Sequence, residues 1–242
     1  MHKQMKTWFL TSLAITALSG CVTVETSSEP EIYSNPQEKA EARLALGMGY
    51  LQQGNMGKAR ENLEKAMQHA PDFYRTQISL AHYYEQVGED DKARKLYKKA
   101  KSDHPSNGNV LNNYGTFLCK QGEYKEADEL FNKAIAQPYY YQISGSYENA
   151  AFCALKSGDE LKAMDYFARA IDYEPARYRS TLNLAKLEIE HDKLLDARIR
   201  LMKFSQMYGV KREALQLMVA LEAKAGNQSL VEKYLNQLAA LG

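Results

Sequence analysis

The chain has 242 residues, 45% of them hydrophobic and 25% charged, with too few Pro and Gly for a disordered or collagen-like polymer. Lys and Arg total 31 against 30 Asp and Glu, and removing the first 20 residues with Lys3 and Lys6 shifts the net charge only from +1 to −1. So neutral a chain lacks the electrostatic footprint of a nucleic-acid binder and does not recruit anionic lipid by charge.

Residues 1–20 read as an export signal. Lys3 and Lys6 form a basic start, and an apolar run from Trp8 to Leu18 follows, too short for a comfortable membrane span. It ends in Leu18-Ser19-Gly20-Cys21, which resembles the bacterial lipobox, whose Cys thiol takes lipid before cleavage frees its amine. Cys21 is therefore the expected lipidation site, and Val22 in place of Asp favours outer-membrane, periplasm-facing delivery. Residues 21–36 form the lipidated Cys and a tether rich in Ser, Thr, Glu and Pro, which buries too little apolar surface to fold.

From residue 37 to 242 the pattern is periodic. Ala59, Ala93, Ala127, Ala163, Ala197 and then Val231 follow one another at steps of 34, 34, 36, 34 and 34. Gly54, Gly88, Gly122, Gly158 and Gly226 keep the same step, with Asp192 in the missing place. Pro71, Pro105 and Pro175 close three units, since proline cannot continue a helix. Small residues permit close helix crossing, the glycines permit positive φ at a helix end, and Tyr50, Tyr84, Tyr97, Phe131 and Phe167 fill the wider gaps.

This unit resembles the tetratricopeptide repeat, on Leu46-Gly47, Tyr50, Ala59, Leu63, Ala66 and Pro71 in the first copy and their equivalents in the next. The fold expected is all-α: a right-handed superhelix of about six helix-turn-helix repeats, at about 40–73, 74–107, 108–141, 144–177, 178–211 and 212–242. The last two depart from the pattern at Asp192, Phe204 and Val231, as terminal repeats do.

Chemistry is thinly represented. There is no His-Glu-x-x-His, no Cys-x-x-Cys, no phosphate loop and no Gly-x-Ser-x-Gly, so a non-enzymatic chain is expected, without metal, cofactor, small-molecule substrate or nucleic acid. Cys119 and Cys153 fall on neighbouring first helices, where an oxidising compartment permits a disulfide; the alternative is two independent buried thiols.

The resemblance also implies which side chains face the inner groove. Leu44, Met48, Leu51 and Gln52 come from the first repeat, Ile78 and His82 from the second, and Asn112 from the third. Apolar residues grouped on such a face suit a docking helix or extended peptide. The alternatives are that segment 31–39 covers the face, or that the helix phase is off by one residue.

Lipobox, tether and repeats together resemble the type IV pilus biogenesis/stability lipoproteins called PilF or PilW. The most specific stretch is Asn112-Asn113-Tyr114-Gly115-Thr116-Phe117-Leu118-Cys119, supported by Asn149-Ala150-Ala151-Phe152-Cys153. That resemblance implies a pilotin, which binds a PilQ-like type IV pilus secretin and promotes its outer-membrane localisation and multimerisation. A general periplasmic scaffold for envelope or peptidoglycan machinery is the alternative function.

Overall fold

The computed structural model describes residues 35–241. The export signal, Cys21 and the tether up to residue 34 lie outside the described residues. Twelve α-helices follow, with no strand among the described residues. They alternate as a first and a second helix of each repeat. The first helices are α1 (Pro36–Gln52), α3 (Tyr74–Gln86), α5 (Gly108–Lys120), α7 (Ile143–Lys156), α9 (Tyr178–Glu190) and α11 (Arg212–Lys224). The second helices are α2 (Met56–His69), α4 (Asp90–Asp103), α6 (Tyr124–Ile135), α8 (Glu160–Tyr173), α10 (Leu194–Tyr208) and α12 (Gln228–Ala239).

Helix α1 starts at Pro36, earlier than the repeat phase alone suggests. Asn35 caps it by accepting from the Gln37 amide at 3.0 Å, and proline at the first helical position needs no partner for a missing N–H.

One turn geometry joins every pair. The residue after the first helix's cap has positive φ: Gly54, Gly88, Gly122, Gly158 and Gly226 at 75–82°, and Asp192 at 61°. The following amide then reaches back to a carbonyl in the last turn, as from Asn55 to Tyr50 at 2.9 Å, Glu89 to Tyr84 at 2.8 Å and Lys193 to Glu188 at 2.8 Å. This is the Schellman arrangement, which satisfies carbonyls the helix leaves open. Asp192 adopts it without glycine, and its carboxylate meets Lys224 Nζ at 2.8 Å.

Within each pair the two backbones cross over small side chains. Ala59, Ala93, Ala127, Ala163 and Ala197 are fully buried. A Cβ on Gly47 would lie 2.7 Å from Leu63 Cγ, so only glycine fits that crossing. Three apolar clusters result: one under α1 to α3, a large central one spanning the second to fourth repeats and reaching Leu184 and Leu187 of α9, and one in the last two. Phe204, at a position held by alanine in the first four repeats, instead packs its ring 4.8 Å from those of Tyr178 and Tyr208.

First helices pack directly against the next first helix at α1–α3, α3–α5, α5–α7 and α9–α11, and α7 meets α9 through Ser180 and Glu148, whereas second helices make no comparable contact among themselves. The second helices therefore lie on the longer, outer arc, and the first helices line the inner one.

The last two repeats use charge where the others use apolar bulk. Glu188 and Glu222 are buried at the position of Tyr50, Tyr84, Leu118 and Ala154. Both are met by helix α10: Arg200 contacts Glu188 through two bonds of 2.9 and 2.7 Å, and Arg198 contacts Glu222 through two of 2.7 and 2.8 Å. Asn227 donates a further bond of 2.6 Å to Glu222. The Arg198 hydrogen bond, outweighing burial, holds the Glu222 carboxyl below its ordinary value of 4.5.

Removing the buried carboxylate empties its site and breaks its bonds to Arg198 and Asn227, so Glu222→Ala should lower stability by about 2–4 kcal/mol in chemical denaturation. A carboxyl whose folded pKa is depressed stabilises above its unfolded pKa and loses that contribution as pH falls through the folded one. The difference between wild type and Glu222→Gln should therefore shrink once the pH drops below about 4.5.

Candidate functional site: a groove at the amino-terminal end of the inner face

The inner face divides into a seam and an open surface. Leu44, Ile78, Asn112 and Glu148 stand at one repeat position and turn toward the next first helix. Leu44 is only 3% exposed, packed with Ala40, Leu80 and Tyr83 between α1 and α3. Ile78 packs against the central core. Asn112 Oδ1 accepts from Ser146 Oγ at 3.0 Å and Asn149 Nδ2 at 3.1 Å, both on α7.

Three expected partner contacts are thereby corrected. Leu44 and Asn112 are buried between helices and offer no surface for docking, because their repeat position is rotated away from the groove and into the neighbouring repeat. Ile78, half-buried against the same seam, does not line the groove either.

Four other expected residues do come together. Met48, Leu51, Gln52 and His82, with Ala45, Gly49 and Gln86, line an open groove of about 610 Å³ between α1 and α3. Its depth comes from Ala45 and Gly49, which sequence reading did not single out. A Cβ on Gly49 would meet nothing within 4 Å, so the space above it is empty. Small residues at 45 and 49, one turn apart and beside Met48 and Gln52, were the available signal.

The groove's far edge is held by Glu85. Its carboxylate accepts from Lys120 and from the Tyr97 hydroxyl at 3.2 Å, and His82 Nδ1 lies 3.7 Å away. Burial raises the Glu85 pKa, but the nearby His82 and the Lys120 ammonium outweigh it and the net shift is downward. Burial, with Glu85 adding to it, pushes the Tyr97 hydroxyl well above its usual range, so it stays a donor. These ties orient α3 against α5 and leave the apolar side chains of Met48 and Leu51 open. The arrangement can hold an apolar side chain of a partner with amide groups of Gln52 and Gln86 at its rim; nothing in it is arranged for bond-making.

Farther along the inner face the repeats are tied together. Ser180 donates to Glu148 at 2.6 Å, and the Tyr140 and Ser146 hydroxyls share a bond of 2.7 Å, whereas beside the groove itself α1 and α3 are joined by Arg75 with Glu41 at 2.6 Å. Gly108 admits the Tyr140 ring at a spot where any Cβ would collide with it. Cys119 on α5 and Cys153 on α7 form a disulfide, their Cα atoms 5.7 Å apart, well inside bridging range. Among the described residues, no group of three or more His, Cys, Asp or Glu side chains is placed to hold a metal, and no helix is long and apolar enough to cross a membrane.

Known proteins share this organisation. Residues 50–106 match the tetratricopeptide-repeat family model. An uncharacterised protein of Haemophilus influenzae is 36% identical over 154 residues, covering 64% of this chain and 81% of its own length. The type IV pilus assembly protein PilF of Pseudomonas aeruginosa is 29% identical over 212 residues, or 88% of this chain and 84% of that one. Its solved structure superposes with a TM-score of 0.73 at 28% identity, covering 86% of this chain and 94% of that one. The structure of PilW, described as a widely conserved type IV pilus biogenesis factor, superposes with a TM-score of 0.71 at 26% identity, over 83% and 92%.

The disulfide closes a loop with a sequence separation of 34. Replacing both cysteines by Ala should cost about 2–4 kcal/mol, read from the urea midpoint, with the helical circular dichroism of the folded state unchanged.

Proposed function

This chain belongs to the tetratricopeptide-repeat family that includes PilF and PilW, and we propose on that premise that it acts in type IV pilus biogenesis as an outer-membrane lipoprotein pilotin. In this reading Cys21 carries lipid and moors the solenoid to the periplasmic face of the outer membrane. The groove of Met48, Leu51, Gln52 and His82 takes an apolar segment of the pilus secretin, a PilQ-like chain, and helps it reach the membrane and multimerise.

What supports the reading is one observation: likeness to PilF extends over most of both chains, in sequence and in fold, rather than over a few generic repeats. The groove adds a physical means. Half-buried Met48 and Leu51 present part of their apolar surface to the groove, where a helix or strand can dock, with Met adapting to its shape. Two acyl chains or more are needed for stable anchoring, which a lipidated amino-terminal Cys supplies.

The groove can be blocked without harm to the fold, because the space over Gly49 is empty. Gly49→Leu should fill it and, by removing a helix-interior glycine, leave thermal stability equal or raised by about 0.5–1 kcal/mol. Secretin multimers on a non-boiled immunoblot and surface pili should then be lost, as in a deletion strain. Normal multimers in the deletion strain would sink the pilotin assignment.

A further inference from the structure

Helix α10 carries a continuous apolar stripe on the outer arc; of the other second helices only α8 matches part of it, with Leu161, 67% exposed, at the place of Leu195. Leu195, Ile199 and Met202 are 65%, 45% and 52% exposed, and Gln206 continues the row. In the four preceding repeats the places of Ile199 hold Asp165, Glu129, Lys95 and Glu61, and those of Met202 hold Ala168, Asn132, Lys98 and Glu64. In the sixth they are Lys233 and Asn236. Five repeats keep this surface mainly polar, and the fifth does not.

The spacing of the stripe is four, three, four, which is the seam of a two-helix coiled coil. Its flanking charges decide the orientation. Asp196 and Lys203 lie on the same side of the seam, exposed, with no ion-pair partner among the described residues. In a two-fold antiparallel pairing, Ile199 of one copy faces Met202 of the other, Leu195 faces Gln206, and Asp196 faces Lys203 twice. A parallel pairing would set Lys203 opposite Arg198, which is already committed to Glu222 and offers Lys203 no acid, so both flanking charges would go unpaired. Arg198 and Arg200 are already turned inward to Glu222 and Glu188, so they do not disturb the seam.

We propose that α10 is a self-association surface, which joins two copies of this chain antiparallel through Leu195, Ile199 and Met202. The interface is isologous: one patch complements itself about a two-fold axis. It spans a single helix of 15 residues, so the dimer is weak and its population depends on local concentration. It lies on the outer arc at the far end of the solenoid from the α1–α3 groove. A dimer of this kind presents two unobstructed grooves and makes binding to a multimeric partner bivalent.

Sedimentation equilibrium of the full chain in density-matched detergent, across a concentration series, tests this. A reversible dimer is expected, with Ile199→Glu raising its dissociation constant at least ~10-fold. Asp196→Lys should raise it by roughly 3- to 10-fold, and adding Lys203→Asp should bring it back to within about 3-fold of wild type. These side chains are at the surface, so melting temperatures should not change; should Ile199→Glu fail to fold, Met202→Lys replaces it. A chain that is monomeric at every concentration overturns the proposal. So does a dimer indifferent to both apolar substitutions, or a charge swap that does not recover.

Discussion

The close crossing of two helices within each repeat is the constraint from which the rest of the molecule follows. It requires a small residue on the second helix, met by Ala59 and its equivalents, and in the first repeat a glycine facing it at Gly47. It also requires the chain to reverse sharply between helices, which the positive-φ residue and its back-reaching amide provide. Once these are repeated every 34 residues or so, each hairpin presents the same apolar edge to the next. Stacking is then the way to bury it.

Stacking in turn decides which residues are free to bind. An inner-arc helix has one side facing its neighbour and another facing the open groove, and one residue's rotation separates the two. Leu44 and Met48 are a single turn apart on α1, yet the first is sealed against α3 while the second is open. The central repeats are fastened along that seam by Asn112 with Ser146 and Asn149, by Tyr140 lodged over Gly108, and by the Cys119–Cys153 bridge. Among the described residues the first repeat has one such tie on this seam, Arg75 with Glu41, and its apolar groove lies beside it.

At the other end the chemistry changes. Two buried carboxylates replace the apolar residues of earlier repeats, and α10 answers both with arginine forks on either side. Buried pairs of this kind contribute less net stability than apolar packing does, but a wrong neighbour would leave a charge unpaired. Any arrangement of α9, α10 and α11 that parts Glu188 from Arg200 or Glu222 from Arg198 therefore carries that cost. With its arginines drawn inward, α10 is left with leucine, isoleucine and methionine on its outer surface.

The amino-acid sequence alone determined the fold class, the number of repeats and the turn positions. Those depend on spacing and on residues whose backbone requirements are local: small at a crossing, glycine or Asp at positive φ. Legible too were Met48, Leu51, Gln52 and His82 as groove residues, since helix phase carries over from one repeat to the next. What only the tertiary structure decided were the contacts between repeats. The burial of Leu44 and Asn112, the room over Gly49 and the pairing of Glu188 and Glu222 with arginines of α10 all depend on how far one hairpin is rotated against the next. That rotation is a balance of packing across the whole seam, which no single repeat encodes.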